Sequence, residues 1–101
     1  MAHLVAPRAE ADLNDIWLYV AKESGSMEVA TRLVDSITDR FCFLANFPHA
    51  GRSRDREFGV GTRSFPVGDY VIVYCVEGDD VFILRVVHGR RDFESLFEVW
   101  L

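Results

Sequence analysis

The stretch Thr62-Arg63-Ser64-Phe65-Pro66-Val67-Gly68-Asp69-Tyr70-Val71-Ile72-Val73-Tyr74-Cys75-Val76-Glu77-Gly78-Asp79-Asp80-Val81-Phe82-Ile83-Leu84-Arg85-Val86-Val87-His88 decides the fold. It is rich in β-branched and aromatic residues and is broken only at Gly68-Asp69 and at Glu77 to Asp80, which predicts three strands joined by two hairpins: Thr62 to Val67, Tyr70 to Val76 and Val81 to His88. Gly68-Asp69 suits a two-residue type II′ turn, whose first central position favours glycine. The second gap reads as a four-residue connection. These turns set Val67 opposite Tyr70, Phe65 opposite Ile72, Arg63 opposite Tyr74, Val76 opposite Val81 and Ile72 opposite Arg85.

Residues directly opposite share a face, so the register sorts the side chains. One face carries Ser64, Pro66, Val71, Val73, Cys75, Phe82, Leu84, Val86 and His88. Apart from Ser64 and His88 it is apolar, and it is expected to take the helices. The other carries Arg63, Phe65, Val67, Tyr70, Ile72, Tyr74, Val76, Val81, Ile83, Arg85 and Val87. That is too apolar for a solvent face and has the composition of a binding surface. Arg63 and Arg85 have two readings: each pairs with a nearby carboxylate or rims the sheet, or each recognises an anion through its planar guanidinium. Tyr74 either completes a polar group with Arg63 or reflects β-propensity alone.

Upstream of the hairpins the period is helical. Pro7 suits the first position of a helix, and Ala9, Leu13, Ile16, Trp17 and Val20 form one stripe, with Asp12 read as lying off it. Ser24-Gly25-Ser26 breaks the pattern. From Met27, the residues Ala30, Leu33, Val34, Ile37, Phe41 and Leu44 repeat it, with Ser26 as N-cap, until Pro48. His3-Leu4-Val5 reads as a short strand, residues 48 to 61 as a long basic loop, and Asp92 to Trp100 as a short terminal helix. The expected class is α+β: a βααβββ chain whose helical hairpin packs on one face of a small, mainly antiparallel sheet, as a single domain over 1–101.

Composition narrows the function. Half of the 101 residues are apolar, which suffices for one core without metal or disulfide staples. No segment is apolar enough to span a membrane and no export signal opens the chain, so a cytoplasmic location is expected. Cys42 and Cys75 have no metal-ligand spacing and read as two buried thiols; no metal or cofactor is expected. The net charge of −5 argues against broad nucleic-acid binding. Yet Arg52, Arg54, Arg56 and Arg63, then Arg85, Arg90 and Arg91, concentrate seven of the 11 basic residues in two windows.

Four strings, in order, resemble ParE-type toxins of the ParE/RelE superfamily: Ala9-Glu10-Ala11-Asp12-Leu13-Asn14-Asp15-Ile16 with Tyr19; Phe47-Pro48-His49-Ala50-Gly51-Arg52; Arg63 through Tyr74; and Ile83-Leu84-Arg85-Val86-Val87-His88-Gly89-Arg90-Arg91-Asp92. The resemblance implies the toxin of a type II toxin–antitoxin pair. Its cognate antitoxin would be a ribbon-helix-helix protein whose tail folds on binding, so that the toxin meets DNA only through it. ParE-like members are associated with inhibition of DNA gyrase; RelE-like members cleave messenger RNA on the ribosome without a metal. Arg63 and Arg85 match positions of RelE-like phosphate-binding arginines, and His88 could serve as acid or base. Against that reading, Lys22 is the only lysine, the charge is negative, and no tyrosine follows His88. The ParE-like reading is therefore favoured, with a ribosome-dependent endoribonuclease and a non-toxic binding module of the same fold as alternatives. Antitoxin or target binding is expected at Arg63, Phe65, Tyr70, Ile72, Tyr74, Arg85, Arg90 and Arg91.

Overall fold

A computed structural model describes residues 3–89. The elements run β1 (His3–Val5), α1 (Pro7–Ser24), α2 (Met27–Asn46), β2 (Arg52–Ser53), α3 (Asp55–Phe58), β3 (Thr62–Val67), β4 (Tyr70–Glu77) and β5 (Asp80–His88). The strands form one sheet in the order β1-β5-β4-β3-β2, antiparallel except for the parallel β1–β5 pair. This is the α+β arrangement expected, a helical hairpin on a small sheet. The expected helix over Asp92 to Trp100 lies outside the described residues.

Local chemistry explains the boundaries. Pro7 opens α1 because a residue without an N–H fits the first turn, and the same lack ends the β1 ladder at the Ala6 N–H, which donates to Ile83 O at 2.9 Å. Gly25, at φ +69°, closes α1 in the left-handed region that a glycine adopts without a Cβ clash. Ser26 then caps α2: its Oγ accepts from the Val29 N–H at 3.2 Å. The two helices are clamped by Trp17, whose Nε1–H donates to Thr31 Oγ1 at 3.0 Å.

The first hairpin forms as read. Val67 pairs with Tyr70, Phe65 with Ile72 and Arg63 with Tyr74. Gly68 has φ +58° and Asp69 does not share the positive φ, which matches type II′ and excludes type I′. In the second hairpin Val76 does face Val81, but the strands run further than expected. Glu77 pairs with Asp80, so the turn is the two residues Gly78-Asp79.

The structure departs from the sequence expectation in the register of β5 and in the face that the helices cover. A bulge between Val73 and Tyr74 inserts Leu84, so Arg85 pairs with Val73 rather than Ile72, and Ile72 pairs with Val86. The faces are also exchanged. Tyr70, Ile72, Tyr74, Val81 and Ile83 pack with Ala9, Ile16, Ile37, Phe41 and Leu44 in the main core, under the helices. Beyond the bulge the parity inverts, so Val86 joins the same core, whereas Val87 joins Val71, Val73 and Phe58 in a small second cluster on the other face. The physical cause is that a tyrosine can be buried when its hydroxyl is satisfied, so polar tips did not mark the outer face.

The segment 48–61 is not a plain loop. Arg52–Ser53 adds an edge strand to β3, and α3 carries Phe58 onto the second cluster. Asp55 Oδ1 accepts from the Gly61 N–H at 3.0 Å, and Thr62 Oγ1 donates to Arg54 O at 2.9 Å, which ties this excursion back to the sheet. The cysteines also differ from expectation: Cys42 is exposed and Cys75 is half-buried, and neither is in a disulfide. Burial and the charge of Glu77 push the Cys75 thiol above its ordinary pKa.

Candidate functional site

Two polar assemblies hold the conspicuous arginines. In the first, Asp12 sits on the buried side of α1 and its carboxylate accepts three hydrogen bonds: from Arg85 Nε at 2.7 Å, Arg85 Nη2 at 3.1 Å and the Val86 N–H at 3.0 Å. The bidentate geometry is the one a guanidinium and a carboxylate favour. Val86 lies further along β5 than β1 reaches, and the Asp12 carboxylate supplies an acceptor for its N–H there. Asp12 is only 8 % exposed, so the carboxylate is held away from water.

Asp12 is the residue that the sequence reading missed. Its signal was present, since Asp12 is three positions after Ala9 and four before Ile16, both of which are buried. An acid in an apolar stripe demands a partner. For Arg85, the carboxylate-pairing alternative is the one observed.

In the second assembly, Tyr74 and Arg63 bind the chain just after α2. The Tyr74 hydroxyl donates to Pro48 O at 2.7 Å and accepts from the Gly51 N–H at 2.9 Å. Arg63 Nη1 donates to Gly51 O at 2.6 Å and more weakly to His49 O at 3.4 Å. Burial raises the Tyr74 pKa above its ordinary value, opposed by the Gly51 hydrogen bond and the Arg63 charge. The phenol is neutral at physiological pH and both its hydrogen-bonding roles are occupied. Gly51 is required by contact rather than by φ: a Cβ there would lie 2.5 Å from the Tyr74 hydroxyl and 2.8 Å from Ser64 O.

The segment so held forms one wall of a concave pocket of about 530 Å³ lined by Phe43, Asn46, Phe47, Pro48, His49 and Ala50. The Phe43 ring contacts both Phe47 and Phe65, with centroids 5.1 and 5.7 Å away. The Arg40 guanidinium carbon lies 5.9 Å from the centroid of the Phe43 ring.

Of the residues expected to bind a partner, Arg63, Phe65 and Tyr74 are thus gathered around the end of α2, with Phe65 half-buried. Tyr70, Ile72 and Tyr74 themselves are buried in the core and present no surface. Arg85 is joined to Asp12, and His88 packs edge-on against Tyr70 with ring centroids 5.4 Å apart. Arg90 and Arg91 lie outside the described residues. Among the described residues no group of three His, Cys, Asp or Glu side chains could hold a metal ion. No described helix is long and apolar enough to cross a membrane.

A helical hairpin on a five-stranded sheet, with arginines tied to its own backbone and carboxylate and an apolar pocket open at the end of the second helix, defines a small α+β domain. The family model for the ParE toxin of the type II toxin–antitoxin system parDE matches residues 4–93. The chain belongs to the ParE toxin family. It is 34 % identical over 84 residues to Toxin ParE3 of Caulobacter vibrioides, covering 83 % of this chain and 82 % of that protein. It also shares its fold with a solved structure of the chromosomal ParDE TA system from P. aeruginosa, with TM-score 0.75, 24 % identity, and coverage of 87 % of this chain and 95 % of that one.

Proposed function

We propose that this ParE-family toxin arrests growth by inhibiting DNA gyrase and is neutralised by a cognate ParD-like antitoxin, a ribbon-helix-helix protein whose tail folds onto the toxin. It acts in the cytoplasm and reaches DNA only through that antitoxin. The family membership and the likeness to Toxin ParE3 support the toxin–antitoxin pairing.

The observation that carries the choice of target is the engagement of the arginines. Metal-free cleavage of RNA needs cations aimed at the phosphorane and groups free to take and give protons. Arg85 is paired with Asp12, Arg63 with the carbonyls of His49 and Gly51, and the Tyr74 hydroxyl with Pro48 and Gly51. Recruiting Arg85 to a phosphate means breaking its bidentate pair with Asp12, and Arg63 is turned through Nη1 onto its own backbone. This favours a protein target engaged by surface over a substrate engaged by chemistry.

Purified gyrase provides the test. The protein is expected to inhibit supercoiling and to trap a cleavage complex, and added antitoxin to restore activity. Full supercoiling in the presence of folded protein rejects the gyrase target. Normal growth on expression without antitoxin assigns this chain instead to a non-toxic binding module.

A further inference from the structure

The strand β5 pairs with β4 through one inserted residue. Ile83 faces Tyr74 and Arg85 faces Val73, so Leu84 has no residue opposite it. A regular pairing is also open to the two strands. With the turn at Gly78-Asp79 and every pair up to Tyr74 with Ile83 unchanged, it would set Val73 against Leu84, Ile72 against Arg85 and Val71 against Val86. The turn therefore selects neither. The two pairings differ in what they deliver to the core face, which holds Tyr70, Ile72 and Tyr74. The bulged pairing delivers Val86, whereas the regular one would deliver Arg85 and Val87. Arg63 lies opposite Tyr74 and shares that face, so the regular pairing would also bring both arginines to one side of the sheet.

Two backbone groups of β5 show which side chain reads the difference. Ile83 O accepts from the Ala6 N–H on the β1 side of the strand, and the Val86 N–H points away from β4 as well, donating to Asp12 Oδ2 at 3.0 Å. In a regular strand, residues three apart direct their backbone groups to opposite edges. The regular pairing would therefore turn the Val86 N–H toward β4, and the carboxylate would lose it. Asp12 also holds Arg85, the residue immediately before, through Nε at 2.7 Å and Nη2 at 3.1 Å. One buried carboxylate thus binds a side chain and the backbone N–H that follows it, a combination that only the bulged pairing presents. From this we infer that Asp12 is a register lock: it selects the bulged pairing of β4 with β5, and so keeps Val86 in the core and Arg85 off the face that carries Arg63 and Tyr74. The lock is independent of the toxin's target.

The test is NMR of the isotopically labelled full chain, reading cross-strand Hα–Hα contacts, which are short where paired residues exchange no hydrogen bonds. The native chain is expected to show the contact between Ile72 and Val86. Asp12→Leu with Arg85→Leu removes the acceptor and makes position 85 apolar, so the contact of Ile72 is expected to move from Val86 to position 85. Asp12→Asn with Arg85→Leu keeps an acceptor for the Val86 N–H and is expected to retain the contact with Val86. Both variants lack the salt bridge, so a merely stabilising role of the pair predicts the same pattern in the two. An Ile72 contact with Val86 that persists in both variants, or disappears from both, would overturn the inference. Hydrogen exchange of the native chain adds a readout that requires no variant to fold. The Val86 amide lies beyond the reach of β1, yet it is expected to exchange at least about tenfold more slowly than an unprotected amide. Exchange at the unprotected rate would overturn the lock directly.

Discussion

Asp12 joins α1 to β5 through a guanidinium and a backbone N–H, and its loss leaves both without an acceptor. Asp12→Ala should cost about 3–5 kcal/mol in urea unfolding, because a charge is left buried and unpaired. Replacing both partners, Asp12→Leu with Arg85→Met, should cost markedly less than the sum of the single changes; additive losses would show that the pair is not coupled. The Arg8 contact to the same carboxylate, at 3.9 Å with Arg8 71 % exposed, adds little.

The Tyr74 phenol makes stability depend on pH at the alkaline end. Its folded pKa is raised, so the folded state keeps the phenolic proton that the unfolded chain gives up near pH 10. The associated stability is intact below about pH 10 and declines as pH rises toward the folded pKa. Tyr74→Phe should lower stability at pH 7 by about 1–3 kcal/mol, since the Gly51 N–H and Pro48 O lose their partner. It should also flatten the alkaline fall between pH 9 and 11. An unchanged alkaline slope would mean that Tyr74 titrates as it does in the unfolded chain. Gly51→Ala, which drives a methyl against the same hydroxyl, should destabilise by about 1–3 kcal/mol as measured by thermal unfolding.

At the level of elements, caps and turns act where the sequence says they do. Ser26→Ala removes the bond to the Val29 N–H and should cost about 1 kcal/mol, with Ser26→Asp restoring it. Both helices and all three long strands were readable because their determinants are local: the positions of Pro7 and Ser26, the change of period, and Gly68 followed by an L-residue. The face that the helices cover was not. Binary patterning ranked Arg63, Tyr70, Tyr74 and Arg85 as polar, yet each hides its polar atoms or apolar body within the fold, and the partners of Arg63, Tyr74 and Arg85 lie on remote segments. Nor was the bulge readable, since nothing in Ile83-Leu84-Arg85-Val86 distinguishes an inserted residue from a regular one. One extra residue inverts every later side chain, which is why Val86 and Val87 exchanged faces with respect to Ile83 and Arg85 as first paired.

For the whole molecule, the arginine windows resolve into different uses. Arg54 is bound within the 48–61 excursion, its Nε donating to Ser64 Oγ at 2.7 Å and its Nη1 lying 3.4 Å from Glu57. Arg63 and Arg85 brace the backbone and α1, while Arg40 lies beside the apolar pocket and Arg52 is exposed on the edge strand. The two arginine windows were visible in the sequence, but the partners that divide their uses lie on remote segments and were not. On the function proposed above, these arginines support a protein-binding toxin and not a nuclease site. The most direct measurement is to induce the protein in growing cells and, in the same cultures, map messenger RNA ends and resolve plasmid topoisomers. Relaxation of the plasmid with no codon-phased cleavage is the predicted result; codon-phased ends with unaltered supercoiling would contradict it.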